Sequence, residues 1–298
     1  MATYTGPDLS VHNGSVNMTS VKAAGNTFVM LREGYGDVLS YPNQKDSTFE
    51  KNYTNAKAAG LWVGVYHYMY ATSVAGAKRE AEGFLANLKG KTFEMPVCLD
   101  IEEQRQYNLS NSTVEAMIKA FIDVLEKAGY FVSLYSYESF LTSKTSASFR
   151  AKYDVWCANI SKTPSITYGI HQYTFSARVN GVSGNVDMNR TTKNYKSIMT
   201  TNGLNGFKKQ TATPELKVLD STGLKRNDTN ALAVLAYKQM LLLAYDKKYV
   251  TKKVANDAGF GEGTEIDTNE LLKRFGYKQN GIAGTNLIKK LGALLGVK

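Results

Sequence analysis

An irregular, TIM-like β/α barrel followed by a small, mainly α-helical C-terminal domain is the α/β fold that this sequence predicts, on three observations. Between Asp8 and about Tyr195, short β-branched or aromatic runs alternate with amphipathic helical stretches, the signature of βα units around a parallel sheet. The number of such units suits a sheet closed on itself. From 202 to 215, Gly203, Gly206, Thr211, Thr213 and Pro214 interrupt all periodicity, and beyond them only helical patterns follow.

The elements follow in order. Residues 28–31, Phe-Val-Met-Leu, read as a strand, and 47–60 as a helix carrying Ala56, Ala58 and Ala59 and stopped at Gly60. Residues 62–68 form the next strand, 75–88 the next helix and 96–101 the next strand. A helix over 113–128 ends at Gly129 and leads into a strand at 131–135. Three strand-like runs, 155–160, 169–173 and 186–188, then follow with little helix between them, so the barrel is expected to be irregular in its last third. Beyond 215 a long helix is expected over 230–249 and shorter ones over 268–275 and 286–295. The expected domains are therefore a barrel at 1–201, a linker at 202–215 and a helical domain at 216–298.

Composition narrows the function classes. A chain of 298 residues, 43% hydrophobic and 21% charged, can bury a large core, and its longest apolar runs are too short for a membrane span. The start, Met1-Ala2-Thr3-Tyr4-Thr5-Gly6-Pro7-Asp8, has neither a basic nor an apolar leader region, so no secretory signal is expected. Cys98 and Cys157 lie in apolar segments and read as reduced, buried thiols. The net charge of +10 suits a polyanionic partner, which charge alone leaves open between nucleic acid, an anionic membrane and an acidic wall, or a solubility charge with no partner. Between 211 and 298, 14 Lys and Arg face 9 Asp and Glu, so no concentrated nucleic-acid patch stands out.

Asp100 and Glu102 end the strand-like run 95–101. Residues i and i+2 of a strand share a face, where mutual repulsion and partial burial keep one carboxyl protonated near neutral pH and the other ionised. The alternative is a strand ending in solvated acids. If the strands are parallel, their carboxyl ends gather on one rim, and that rim collects Asp8, Arg32, Tyr66, His67, Tyr68, Asp100, Glu102, Tyr135, Trp156, Gln172, Asp187 and Asn189. Each has an ordinary explanation alone: a turn cap for Asp8, a pair with Glu33 for Arg32, a core place for the aromatics. Such residues at so many successive strand ends argue for a site. The three histidines, His12, His67 and His171, lack metal-ligand spacing, no metal or cofactor is expected, and neither a phosphate-binding loop nor a Gly-x-Ser-x-Gly elbow occurs.

In these segments the chain resembles the glycoside hydrolase family 25 muramidases, the lysozyme type common among phage endolysins. The matching elements are Asp8-Leu9-Ser10, Arg32-Glu33-Gly34-Tyr35-Gly36, Val63 to Tyr68, Asp100-Ile101-Glu102, Trp156-Cys157-Ala158, Gln172-Tyr173 and Val186-Asp187-Met188-Asn189. They run in family order over roughly residues 4 to 195. The resemblance implies hydrolysis of the β-1,4 bond between N-acetylmuramic acid and N-acetylglucosamine. It makes Glu102 the general acid and leaves Asp100 ionised, orienting the substrate N-acetyl group in a retaining, substrate-assisted route, with direct attack by a carboxylate or inversion through a water as the alternatives. Asp8 and Asp187 complete the catalytic acids. Arg32, Tyr66, Tyr68, Tyr135, Trp156, Gln172 and Asn189 are expected to bind substrate, the aromatics by stacking on sugar rings. Glu103 points to the opposite side of the strand, and His171, where the family often has tryptophan, is expected in the core.

The C-terminal segments 258–265, 271–277 and 281–285 resemble a three-helix peptidoglycan-binding domain, with a helical module for oligomerisation or capping as the alternative. The implied partners are peptidoglycan and its anionic wall polymers, with no nucleic acid and no stable membrane insertion. The implied setting is a phage or prophage lysin, made in the host cytoplasm and acting on the wall after release. A catalytically inert wall-binding protein is the competing class.

Overall fold

The structure, a computed structural model, describes residues 3–209, 223–228 and 231–296. It divides into two compact units, Met1–Gln210 and Thr211–Lys298.

Eight strands form the first unit's sheet: β1 (Tyr4–Leu9), β2 (Phe28–Tyr35), β3 (Trp62–Tyr68), β4 (Val97–Asp100), β5 (Val132–Tyr137), β6 (Asp154–Ala158), β7 (Ile170–Ala177) and β8 (Val186–Thr191). They close into a barrel in sequence order. Between them run α1 (Met18–Ala23), α2 (Phe49–Ala58), α3 (Val74–Leu88), α4 (Asn111–Lys127), α5 (Glu138–Lys144) and α6 (Ala147–Arg150), with α7 (Tyr195–Asn202) after the last strand. Four of these helices, α1, α5, α6 and α7, go beyond the sequence reading. All four are short, eight residues at most, and carry little periodic signal.

The parallel barrel expected from sequence is corrected at its last strand. β1 to β7 pair parallel, whereas β8 runs antiparallel to both β7 and β1. The connection 178–185 explains the reversal. It has no helix and turns through Gly181 and Gly184 at φ 98° and 77°, and a right-handed parallel crossover needs about a dozen residues or more. Asp187 therefore sits at the start of β8, not near its end, yet reaches the same rim as the ends of the parallel strands.

The period of two divides each strand between the barrel interior and the helical layer. Val63, Val65, Val97, Leu99, Leu134 and Val155 pack outward with Phe84, Ile118 and Phe121 of the helices. Phe28, Met30, Met95, Cys98 and Ile170 fill the interior, joined by Tyr195 and Met199 of α7. The Tyr195 hydroxyl donates to Asp154 Oδ2 (2.6 Å) at the first residue of β6, so α7 plugs the end of the barrel opposite the rim. A side chain at Gly64 would overlap the Met30 sulfur, which is why this inward position carries none. The thiols of Cys98 and Cys157 are unpaired and buried.

Residues 203–209, placed in the linker from sequence, are seated on the barrel: Asn205 accepts from Phe131 N (2.7 Å) and donates to Met95 O (2.9 Å). The rest of that segment, 210–215, and residues 216–222 of the expected helical domain lie outside the described residues.

The second unit contains α8 (Ala231–Asp246), α9 (Glu262–Arg274) and α10 (Thr285–Leu295) around Val234, Tyr237, Leu241, Phe260, Leu271, Leu287 and Leu291. A bridge between Leu224 and Ala283 ties its first described residues to the turn before α10. α9 begins six residues before its expected start, at Glu262, and Glu262 and Glu265 place favourable negative charge in its first turn. No helix among the described residues is long and apolar enough to cross a membrane.

Candidate active site

The rim of the barrel carries a cleft of about 370 Å³ lined by Asp8, Arg32, Tyr66, Tyr68, Asp100, Glu102, Tyr135, Trp156, Gln172 and Asp187. Register gathers them. Tyr68 pairs with Asp100, Asp100 with Tyr135, Tyr135 with Trp156, and Asp8 with Asp187 across the antiparallel β1–β8 seam. β4 ends at Asp100, so Glu102 stands on the segment after the strand and still shares the cleft. Glu103 faces elsewhere, pairing with Arg105 (3.2 Å).

Hydrogen bonds distinguish the four acids. Asp8 Oδ2 accepts from Gln172 Nε2 (2.9 Å) and Asn189 Nδ2 (2.8 Å), whereas Asp100 Oδ1 and Glu102 Oε2 are buried oxygens with no protein partner. Burial pushes the Asp8 carboxyl up, opposed by its bonds from Asn189 and Gln172. Burial, then the Glu102 and Asp8 charges, hold the Asp100 carboxyl well above the usual range, with only Arg32 opposing. Burial followed by the Asp8 and Asp187 charges raises Glu102 to about 7, and burial with the Asp8 charge raises Asp187 to about 7. The cluster therefore retains protons at neutral pH. The expectation that Asp100 stays ionised is not met among the protein's own groups, because its Oδ1 lacks the donors that Asp8 has.

Two expected rim residues, Asn189 and His67, lie off the cleft, and a third, Trp156, lines it only from behind. Asn189 is fully buried beneath the cleft, where its Oδ1 accepts from Trp156 Nε1 (2.7 Å) while its amide holds Asp8. Trp156 is 1% exposed, packed against Tyr135 (4.5 Å between centroids) and Tyr66 (5.8 Å), so it backs the wall and offers little face for stacking. His67 points outward and is fully buried, with Nδ1 2.8 Å from Glu33 Oε2 and Nε2 3.4 Å from Glu80 Oε2. Burial pulls its pKa down, but the two carboxylates outweigh it and raise it to about 9, leaving an imidazolium clamp under the sheet. Arg32 pairs with Asp46 (2.9 Å), not with Glu33. His171 is buried as expected, with Nε2 2.8 Å from Asn159 O.

Ser10, His12, Asn13 and Asn185 also line the cleft, though none of them is singled out as a site residue from sequence. They come from the loops after β1 and before β8. The one local signal was the reciprocal Ser10–Asn13 cap, in which Ser10 N donates to Asn13 Oδ1 (2.8 Å). A cavity of about 500 Å³ lies in the helical unit, bordered by Lys253, Asp257 and Phe260. Its buried Lys238 is already bonded to Asp257 Oδ1 (2.7 Å) and Gly259 O (2.9 Å), and it gathers no cluster of raised carboxyls like that of the barrel.

Comparison with known proteins agrees with the barrel fold. The sequence model of the family described as Glycosyl hydrolases family 25 matches residues 7–182. The autolytic lysozyme of Clostridium acetobutylicum is 30% identical over 187 residues, covering 61% of this chain and 54% of that protein. Lysozyme M1 of Streptomyces globisporus is 31% identical over 201 residues, covering 62% and 66%. The chain thus spans about half to two-thirds of the length of these curated relatives. The crystal structure of a lysozyme from Streptomyces coelicolor superposes with a TM-score of 0.56 at 32% identity, covering 65% of this chain and 94% of that one.

Proposed function

The chain belongs to glycosyl hydrolases family 25, and on that premise we propose that it cleaves the β-1,4 bond between N-acetylmuramic acid and N-acetylglucosamine in bacterial peptidoglycan. The observation that carries this reading is a carboxyl raised to about 7, Glu102, beside the more deeply buried Asp100 in an open cleft on the rim of the barrel. Related proteins named lysozyme support it.

In this mechanism Glu102 gives its proton to the glycosidic oxygen as the bond from C1 breaks. The acetamido carbonyl oxygen of the same sugar bonds to C1. Water then attacks C1 from the vacated side and passes a proton to the Glu102 carboxylate, while the bond from C1 to the acetamido oxygen breaks and the free acetamido group is restored, with net retention. Asp100 accepts the acetamido N–H. That hydrogen bond supplies the donor its Oδ1 lacks and favours its ionised form, so the proton shared by the pair resides on Glu102 when sugar is bound. Asp8, fixed by Gln172 and Asn189, and Asp187 keep the pair's pKa high and bind sugar hydroxyls. Tyr68 and Tyr66 form the wall against which the sugars lie, with Arg32 donating at its edge.

The helical unit is assigned to wall binding, a role its excess of Lys and Arg over Asp and Glu supports through attraction to anionic wall polymers. Turbidity loss of purified cell walls tests the reading: wild type clears them and Glu102→Gln does not. Equal clearing by both would remove Glu102 as the acid, and clearing by neither, with binding intact, would favour an inert wall-binding protein.

A further inference from the structure

Arg32 is the cation that opposes Asp100 among the cleft acids, and its own placement depends on a residue outside the cleft. Asp46, whose side chain is fully buried, accepts Arg32 Nε at Oδ2 (2.9 Å) and, at the same oxygen, the backbone N–H of Val11 (2.9 Å). Its Oδ1 accepts Thr48 N (2.9 Å) and Thr48 Oγ1 (2.7 Å). One carboxylate thus ties the turn carrying His12 and Asn13 on the cleft wall, the Arg32 guanidinium and the start of α2. The Arg32 Nη groups have no hydrogen-bond partner among the described residues, and its Cζ lies 5.9 Å from the Tyr35 ring centroid.

Resting on the muramidase reading above, we propose that Asp46 is a positioning residue: by holding Arg32 through Nε it aims the Nη donors at substrate and keeps the guanidinium from closing onto Asp100. An arginine released into a cluster of four carboxyls would pair with one of them, and a paired carboxylate loses the proton that acid catalysis needs. Asp46 also contributes negative charge, which acts in the same direction. The titratable groups that line the cleft with Arg32 are Asp8 from β1, Tyr66 and Tyr68 from β3, Asp100 at the end of β4, Glu102 just after it, Tyr135 from β5, Asp187 from β8 and His12 from the turn. On its own segment Lys45 is engaged with Glu50 (2.8 Å), and Glu33 faces away toward His67.

The test compares pH profiles of reducing-end release by wild type, Asp46→Asn, Arg32→Lys and Thr48→Val, with thermal melts to confirm folding. Asp46→Asn removes the charge and releases Arg32. Arg32→Lys keeps the cation but removes the Nε–H that Asp46 holds, and it leaves the Val11 and Thr48 bonds intact, so it serves even where Asp46→Asn does not fold. Both are expected to move the basic limb of the profile to lower pH, by roughly half a unit or more. Thr48→Val loosens the structural half of the contact and leaves the limb in place. A uniform loss of rate at every pH in Asp46→Asn and Arg32→Lys, or an unmoved limb in both, would overturn the proposal. If wild type releases no reducing ends, the muramidase reading falls by itself. Carboxyl ¹³C titration of Glu102 then still decides: a lower pKa in Asp46→Asn or Arg32→Lys than in wild type supports the positioning role, and an unchanged one refutes it.

Discussion

In the proposed mechanism Glu102 and Asp100 serve catalysis at a cost in stability, because a buried carboxyl without donors opposes its own ionisation. Glu102 is raised to about 7 in the folded chain against an ordinary value near 4.5, so the folded state binds its proton more tightly than the unfolded state does. The contribution of this one carboxyl to stability is therefore fully present below about pH 4.5 and is lost as pH rises from there through about 7, by an amount of order 1–3 kcal/mol. Glu102→Gln should melt higher than wild type at pH 8, with the gap closing toward pH 4.5, while activity at pH 6 drops about 10²- to 10⁴-fold. A lower melting point for the variant at pH 8 would contradict the burial argument. The two-residue spacing of Asp100 and Glu102 was legible in the sequence, as was the strand-end position of Asp8. The support given by Asn189 and Asp46 was not. Asn189 lies 181 positions from the Asp8 carboxylate it holds, and Asp46 sits in a loop 14 residues from Arg32, contacts that no local pattern encodes.

At the scale of elements, most of the barrel was readable because outward Val and Leu alternate with inward positions, and because long helices such as α4 repeat Val114, Met117, Ile118, Phe121, Ile122 and Leu125 on one face. The direction of β8 was less visible, since antiparallel return is dictated by the length of the 178–185 connection and not by the strand itself. The buried Glu33–His67–Glu80 clamp joins β2, β3 and α3, with Asn87 of α3 also donating to Glu33. Its histidine, raised to about 9, contributes stability that is fully present below about pH 6.5 and lost as pH rises through about 9. His67→Ala, which strands two buried carboxylates, should cost roughly 3–5 kcal/mol at pH 6, and its deficit relative to wild type should shrink by pH 10. Chemical denaturation at the two pH values checks this, and a pH-independent deficit would point to lost packing against Phe84 and Phe121 instead.

For the whole molecule, two units with separate apolar cores imply separable tasks. A fragment of residues 1–209 should fold and cleave soluble glycan at a rate within about threefold of the full chain, and should sediment less with purified walls, the difference narrowing as salt screens the basic surface. Sedimentation and reducing-end release on the same samples separate the two. Equal wall retention by the fragment would remove the binding role from the helical unit. The most direct test of the central claim is mass spectrometry of the muropeptides that the wild-type chain releases from purified walls. New reducing ends should be N-acetylmuramic acid and should be absent with Glu102→Gln, whereas new N-acetylglucosamine reducing ends would contradict muramidase action.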